Sequence, residues 1–199
     1  MKTKGEKTRH HIIQVAAELF WKNSYQGVNT NTISNVAGVN KATLYRYFPS
    51  KEDIALAAIK NYCDRTIAHV FEASLEASDD PSQQLGGIYF RVYELAVKNF
   101  HEAGCCPGCP LTNLVVEMAT ANPALREAVS QCFDEFRHYY RQIVQTAQQN
   151  GIKRGALNED QTVEALMNLM NGAMVASKVH NQPQPILDTT MVAQQILEA

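Results

Sequence analysis

The sequence predicts an all-α fold: a three-helix helix-turn-helix domain at the N-terminus, then a larger helical domain, about nine helices in total. Three observations lead there. Apolar residues recur at helical spacing along the 199 residues, and no run alternates as a strand would. Residues 29–51, NTNTISNVAGVNKATLYRYFPSK, carry two helix-start signals separated by a glycine turn. Charge is segregated, with net +6 over residues 1–51 and net −8 over residues 52–199, inside a whole-chain charge of −2. The expected division is therefore 1–51 and 52–199.

Taken in order, residues 1–7 are polar and read as a frayed end. A first helix is expected from Thr8 to Lys22, with Ile12, Ile13, Val15, Ala16, Leu19 and Phe20 as its apolar stripe. Residues 23–27 form a loop from which Tyr25 packs back. Asn29 caps a short helix, Thr30 to Ala37, with Ile33 and Ala37 facing inward. Gly38 ends it, because glycine adopts the left-handed conformation at little steric cost. Val39 plugs the turn, and Asn40 caps a helix from Lys41 to Phe48 whose inward residue is Leu44. Pro49 stops that helix and Ser50, with Asp53 in the first turn, starts the next, expected to run from Lys51 to Ala77. Further helices are expected from Pro81 to His101, Pro110 to Thr120, Pro123 to Gln149, Leu157 to His180 and Asp188 to Leu197. Glycines and prolines make 103–110 and 181–185 loops.

The turn between the two short helices is about four residues, the length a helix-turn-helix needs. Its outer face keeps Lys41, Thr43, Tyr45, Arg46, Tyr47 and Lys51, and no carboxylate falls between Lys22 and Glu52. A basic head on an acidic body is the asymmetry of a chain that touches a polyanion at one end. In this motif the second helix enters the major groove with its N-terminal residues nearest the base edges. Lys41 can then donate to guanine, Thr43 can bond a base or touch a thymine methyl, and Ala42 permits close approach, with Tyr45 alongside. Asn29, Thr30 and Asn31 open a helix where free amides suit a phosphate, and Tyr47 and Lys51 suit the far side of the groove. Each tyrosine could equally be core, Tyr45 above all.

The residues Gly27, Ile33, Ala37-Gly38-Val39, Lys41-Ala42-Thr43-Leu44-Tyr45, Tyr47-Phe48 and Ser50-Lys51-Glu52 strongly resemble the TetR/AcrR family of bacterial transcriptional regulators, over residues 8–60. The resemblance implies an all-helical homodimer, not an enzyme, that binds a double-stranded palindromic operator, usually as a repressor, and lets go when a small ligand binds the larger domain. Its DNA-contact positions fall on Asn29, Thr30, Asn31, Lys41, Ala42, Thr43, Tyr45, Tyr47 and Lys51. Thr30 departs from the pattern, since that position is usually apolar.

One short recognition helix reads few base pairs, and two copies one helical turn (~34 Å) apart solve this. The last two helices carry Val163, Leu166, Met167, Met170, Ala173 and Met174, then Leu187, Met191, Val192 and Ile196. These stripes serve either a homodimer interface or the chain's own core. The sensor pocket for an inducer of unknown identity is expected among Tyr89, Tyr93, Phe100, Asn113, Glu117, Phe133, Phe136, Tyr140 and Met167.

No catalytic constellation, cofactor motif or metal-protease motif is present, and none is expected. Cys105-Cys106-Pro107-Gly108-Cys109-Pro110 is the second informative stretch. Cys106 and Cys109 make a C-x-x-C, and Cys109 sits at a helix start, where free amides favour thiolate. Three uses stay open: a structural helix entry, a redox or electrophile sensor at Cys105, Cys106 and Cys109, or a soft-metal site with His101. A helical thiol-disulfide protein using Cys106 and Cys109 is the alternative reading of the whole chain, although the βαβ context of such motifs is missing. Five cysteines without a secretory signal point to a reducing cytoplasm, and no stretch reaches the ~20 apolar residues of a membrane span.

Overall fold

A computed structural model describes residues 3–199; Met1 and Lys2, the latter part of the basic head, lie outside the described residues. All regular elements among the described residues are helical. They fall into two compact units, residues 3–64 with 110–132, and residues 65–109 with 133–199. The sequence places a division at residue 51; the N-terminal packing unit also takes in residues 52–64 of the fourth helix and residues 110–132.

The first unit opens with α1 (Lys4–Asn23). Residues 4–7 are helical, not frayed, because Thr3 and Glu6 form a capping box: Thr3 N donates to Glu6 Oε2 at 2.6 Å and Glu6 N to Thr3 Oγ1 at 3.2 Å. The helix therefore starts four residues before Thr8. α2 (Thr30–Val36) begins where the Asn29 side chain accepts from Thr32 N at 2.9 Å. It closes in a Schellman turn: Val39 N donates to Ser34 O at 3.0 Å and Gly38 N to Asn35 O at 3.1 Å, with Gly38 at φ 63°. α3 (Lys41–Tyr47) is capped by Asn40, which accepts from Thr43 N at 2.8 Å. Ile12, Ala16, Ile33, Leu44, Phe48 and Ile54 form the buried centre, and Val39 packs on its edge.

α4 (Lys51–Thr66) starts at a reciprocal Ser50–Asp53 cap: Ser50 N donates to Asp53 Oδ2 at 2.9 Å and Asp53 N to Ser50 Oγ at 3.1 Å. The chain continues through a π-helical stretch, Ile67–Glu72, into the helical turn Ala73–Glu76. α6 (Pro110–Met118) and the beginning of α7 (Pro123–Gln149) complete the first unit, α6 packing on α1.

In the second unit α5 (Pro81–Ala103) is capped by Asp80, whose carboxylate accepts from Ser82 N and Gln83 N. Its Arg91 bonds the turn just beyond the π stretch: Nη2 donates to Ala73 O at 3.0 Å and Nε to Ser74 Oγ at 3.2 Å. Gly87 lets the two helices come this close, since a Cβ there would meet Ser74 Oγ at 3.2 Å. A regular helix through residue 77 was the expectation; the helix instead passes through a π turn at Ile67–Glu72, and Arg91 of α5 bonds the turn that follows it. α8 (Glu159–His180) follows an Asn158–Gln161 capping box and ends at Asn181, φ 51°. Two ion-pair groups tie it to α7, Arg137 with Glu164 and Arg141 with Glu159 and Asp160. A one-turn α9 (Gln184–Asp188) occupies part of the expected loop, and α10 (Thr190–Glu198) ends the chain.

Val163, Leu166, Met167, Met170 and Ala173 of α8 are buried within the chain, whereas Val175, Val179, Met191 and Val192 stand exposed on α8 and α10. The apolar stripes of the last two helices thus divide between the chain's own core and an uncovered face. No described helix is long and apolar enough to cross a membrane.

Candidate nucleic-acid interface

The Gly38 turn and the two Asn caps fix α3 with Leu44 inward, which leaves Lys41, Ala42, Tyr45 and Arg46 exposed. Thr43 and Tyr47 are half-buried beside them. Along this face runs an open concavity of about 450 Å³ lined by α1, the turn and α3: Lys4, Thr8, Gly38, Asn40, Thr43 and Arg46 among others. Lys4 joins this face through the early start of α1, beside Thr8. The signal for Lys4 was the T-x-x-E box at Thr3–Glu6.

The remaining predicted contacts are held in distinct ways. Tyr45 and Thr30 hydroxyls are hydrogen-bonded at 3.0 Å, so the N-terminus of α2 and the middle of α3 form one surface. This bond gives polar Thr30 a role at a position where an apolar residue is usual. Asn29 uses its side-chain oxygen on the cap, which leaves its NH2 group as a phosphate donor. Asn31 is exposed next to it. Arg46 stacks on the Tyr47 ring at 5.1 Å. Lys51 sits with Nζ 4.1 Å from the centre of the Tyr25 ring. Burial lowers the Lys51 pKa from its ordinary value, with Glu117 opposing the shift.

Glu117, read from the sequence as a sensor residue, lies on α6 in the first unit. One carboxylate oxygen accepts from Tyr25 N at 2.9 Å and the other from Gln26 N at 2.8 Å, so α6 grips the loop that leads to the Asn29 cap. Burial first, then the Glu52 and Glu117 carboxylates, raises the Tyr25 pKa. Asn122, which caps α7 through Leu125 N, also donates to Glu52 Oε2 at 2.5 Å. Asn113 shares α6 with Glu117. The other seven residues read as sensor, Tyr89, Tyr93, Phe100, Phe133, Phe136, Tyr140 and Met167, belong to the second unit, with Tyr89, Phe136, Tyr140 and Met167 buried.

In the cysteine loop, Cys105 is exposed and Cys106 and Cys109 are buried, all as free thiols. Asn181 at the end of α8 clamps this loop: its Oδ1 accepts from Cys106 N at 2.9 Å and its Nδ2 donates to Gly104 O at 3.3 Å. Among the described residues no group of three His, Cys, Asp or Glu is placed to hold a metal ion.

Comparison with known proteins follows the same lines. A family model described as bacterial regulatory proteins, tetR family, matches residues 12–58, and one described as tetracyclin repressor-like, C-terminal domain, matches residues 90–191. The HTH-type transcriptional repressor DhaR of Mycobacterium sp. strain GP1 is 22% identical over 181 residues, 89% of this chain and 86% of its own. An uncharacterized HTH-type transcriptional regulator of Lactococcus lactis subsp. lactis is 27% identical over 131 residues, 65% of this chain and 64%, just under two thirds, of its own. The crystal structure of a TetR transcriptional regulator from Chloroflexus aurantiacus matches with a TM-score of 0.82 and 27% identity, covering 96% of this chain and 94% of that one.

Proposed function

This chain belongs to the TetR family of bacterial regulatory proteins and is a DNA-binding transcriptional regulator; from that premise we propose that it is a repressor that binds a palindromic operator as a homodimer and is released by a small molecule or by cysteine modification. The observation that supports this best is the α3 face: Lys41, Ala42, Tyr45 and Arg46 are exposed on a helix whose start, end and roll are set by Asn40, Phe48 and Leu44. Lys41, Ala42, Thr43 and Tyr45 take the base edges, and Asn29, Thr30, Asn31, Tyr47 and Lys51 take the phosphates. Lys51 reaches a phosphate by leaving the Tyr25 ring.

The homodimer forms through the last two helices, where Val175, Val179, Met191 and Val192 are uncovered. A cytoplasmic location follows from the DNA partner. The inducer occupies the second unit, around Tyr89, Phe136, Tyr140 and Met167. Release runs along the chain: the 104–109 loop passes directly into α6, and α6 carries Glu117. A displaced loop draws α6 back and slackens the grip on Tyr25 and Gln26, so the two recognition helices no longer fit both half-sites together. Ligand and operator must favour different states for this to work. Gel shifts with the DNA flanking the chain's own gene test the reading. A sequence-specific complex that weakens steeply with salt is expected; no such complex at moderate salt would end it.

A further inference from the structure

The second unit holds a polar group that the fold does not satisfy. Tyr89 on α5 is fully buried, at 0% exposure, and its hydroxyl has no hydrogen-bond partner. An unpaired phenol in a core is destabilising, and phenylalanine would fill the same space without that penalty. Tyr140 is its buried neighbour. Burial raises the pKa of both phenols, and the Tyr89 oxygen adds to the rise at Tyr140.

Around them stands an aromatic cluster. The Phe71 ring stacks on Phe136 at 5.0 Å and on Tyr139 at 5.4 Å, and meets Tyr140 edge-on at 5.5 Å. Phe71 lies in the π-helical stretch, and such stretches are frequent at functional sites. None of these five side chains is charged. Arg91, on α5 with Tyr89, is committed to Ala73 and Ser74, and the Tyr139 hydroxyl bonds Glu72 at 3.1 Å. The cluster is therefore a set of aromatic rings stacked on one another beside one unfilled hydrogen bond, with no charge among these side chains; a ring that displaces Phe71 exchanges one aromatic contact for another.

We propose that the inducer is a neutral aromatic molecule with a hydrogen-bond-accepting oxygen, its ring held by Phe71, Phe136 and Tyr140 and its oxygen bonded by the Tyr89 hydroxyl. This rests on the ligand-responsive reading above and gives it a chemical class. Entry of the ligand moves Phe71, and the π stretch re-registers around it.

Acetophenone, ethylbenzene and benzoate are the probes, applied to the full chain and to Tyr89→Phe by ligand-observed NMR titration. The intact protein should bind acetophenone at least fivefold more tightly than ethylbenzene, and benzoate least. Tyr89→Phe should unfold at a higher temperature and bind acetophenone no better than ethylbenzene. Equal binding of acetophenone by both proteins, preference for benzoate, or no acetophenone binding would overturn the proposal. Operator binding by the ligand-free protein, measured in parallel, tests the repressor reading separately: its presence with any of those ligand results refutes the inducer class alone.

Discussion

Glu117→Ala is the substitution with the most specific consequence. The carboxylate accepts two backbone N–H bonds, at 2.9 and 2.8 Å, from adjacent residues of the α1–α2 loop. A hydrogen bond to a charged group contributes about 1.5–3 kcal/mol net. The bond to Gln26 is exposed, so water replaces most of it; the bond to Tyr25 is half-buried and its loss is felt more fully. The combined effect comes to roughly 1–3 kcal/mol. If the grip fixes the pose of α2 and α3 for DNA, that energy appears in the binding constant as a loss of about 5- to 150-fold, at 1.4 kcal/mol per factor of ten. Fluorescence anisotropy with a labelled operator at fixed salt measures it, with circular dichroism confirming the helices. Operator affinity within twofold of the parent, in a folded variant, would refute the reasoning and make Glu117 a surface cap with no part in DNA binding.

Other substitutions separate the remaining claims. Lys41→Ala should weaken operator binding by about 1–3 kcal/mol if it reads a base and relax selectivity at one position; if it meets only a phosphate, affinity falls for all sequences and the salt slope drops by about one. Gly38→Ala places a side chain at φ 63° in open space, so backbone strain alone should lower stability by about 1–2 kcal/mol, read from denaturant midpoints. Iodoacetamide followed by mass spectrometry should label Cys105 well before Cys106 and Cys109, and Asn181→Ala, which removes the loop's clamp, should speed labelling of Cys106. Equal rates at all three thiols would contradict the placement of that loop.

The recognition unit was legible because its signals are local. Asn29, Asn40 and Ser50 each cap within three residues, and Gly38 alone satisfies the left-handed turn. The start of α1 was equally local, but Thr3 and Glu6 lie in a polar stretch with no apolar stripe to draw attention to the box. What escaped was tertiary. Nothing in the run from Ile67 to Glu72 announces a π turn, and the contacts of Arg91 and Gly87 with Ala73 and Ser74 just beyond it come from another helix. Glu117 read as a polar residue on a sensor helix, and only the fold brings it to the Tyr25 and Gln26 amides, 92 and 91 residues away. The apolar positions of α8 looked uniform in sequence, yet packing buries Met170 and leaves Val175 and Val179 uncovered.

The central claim is that two copies of α3 read one palindrome. Selection of bound fragments from random DNA, followed by footprinting and mass determination of the complex, tests it most directly. Two protein chains on an inverted repeat with half-sites about one helical turn (~34 Å) apart is the predicted result. A single chain on an unpaired half-site, or recovery of unrelated sequences, would contradict it.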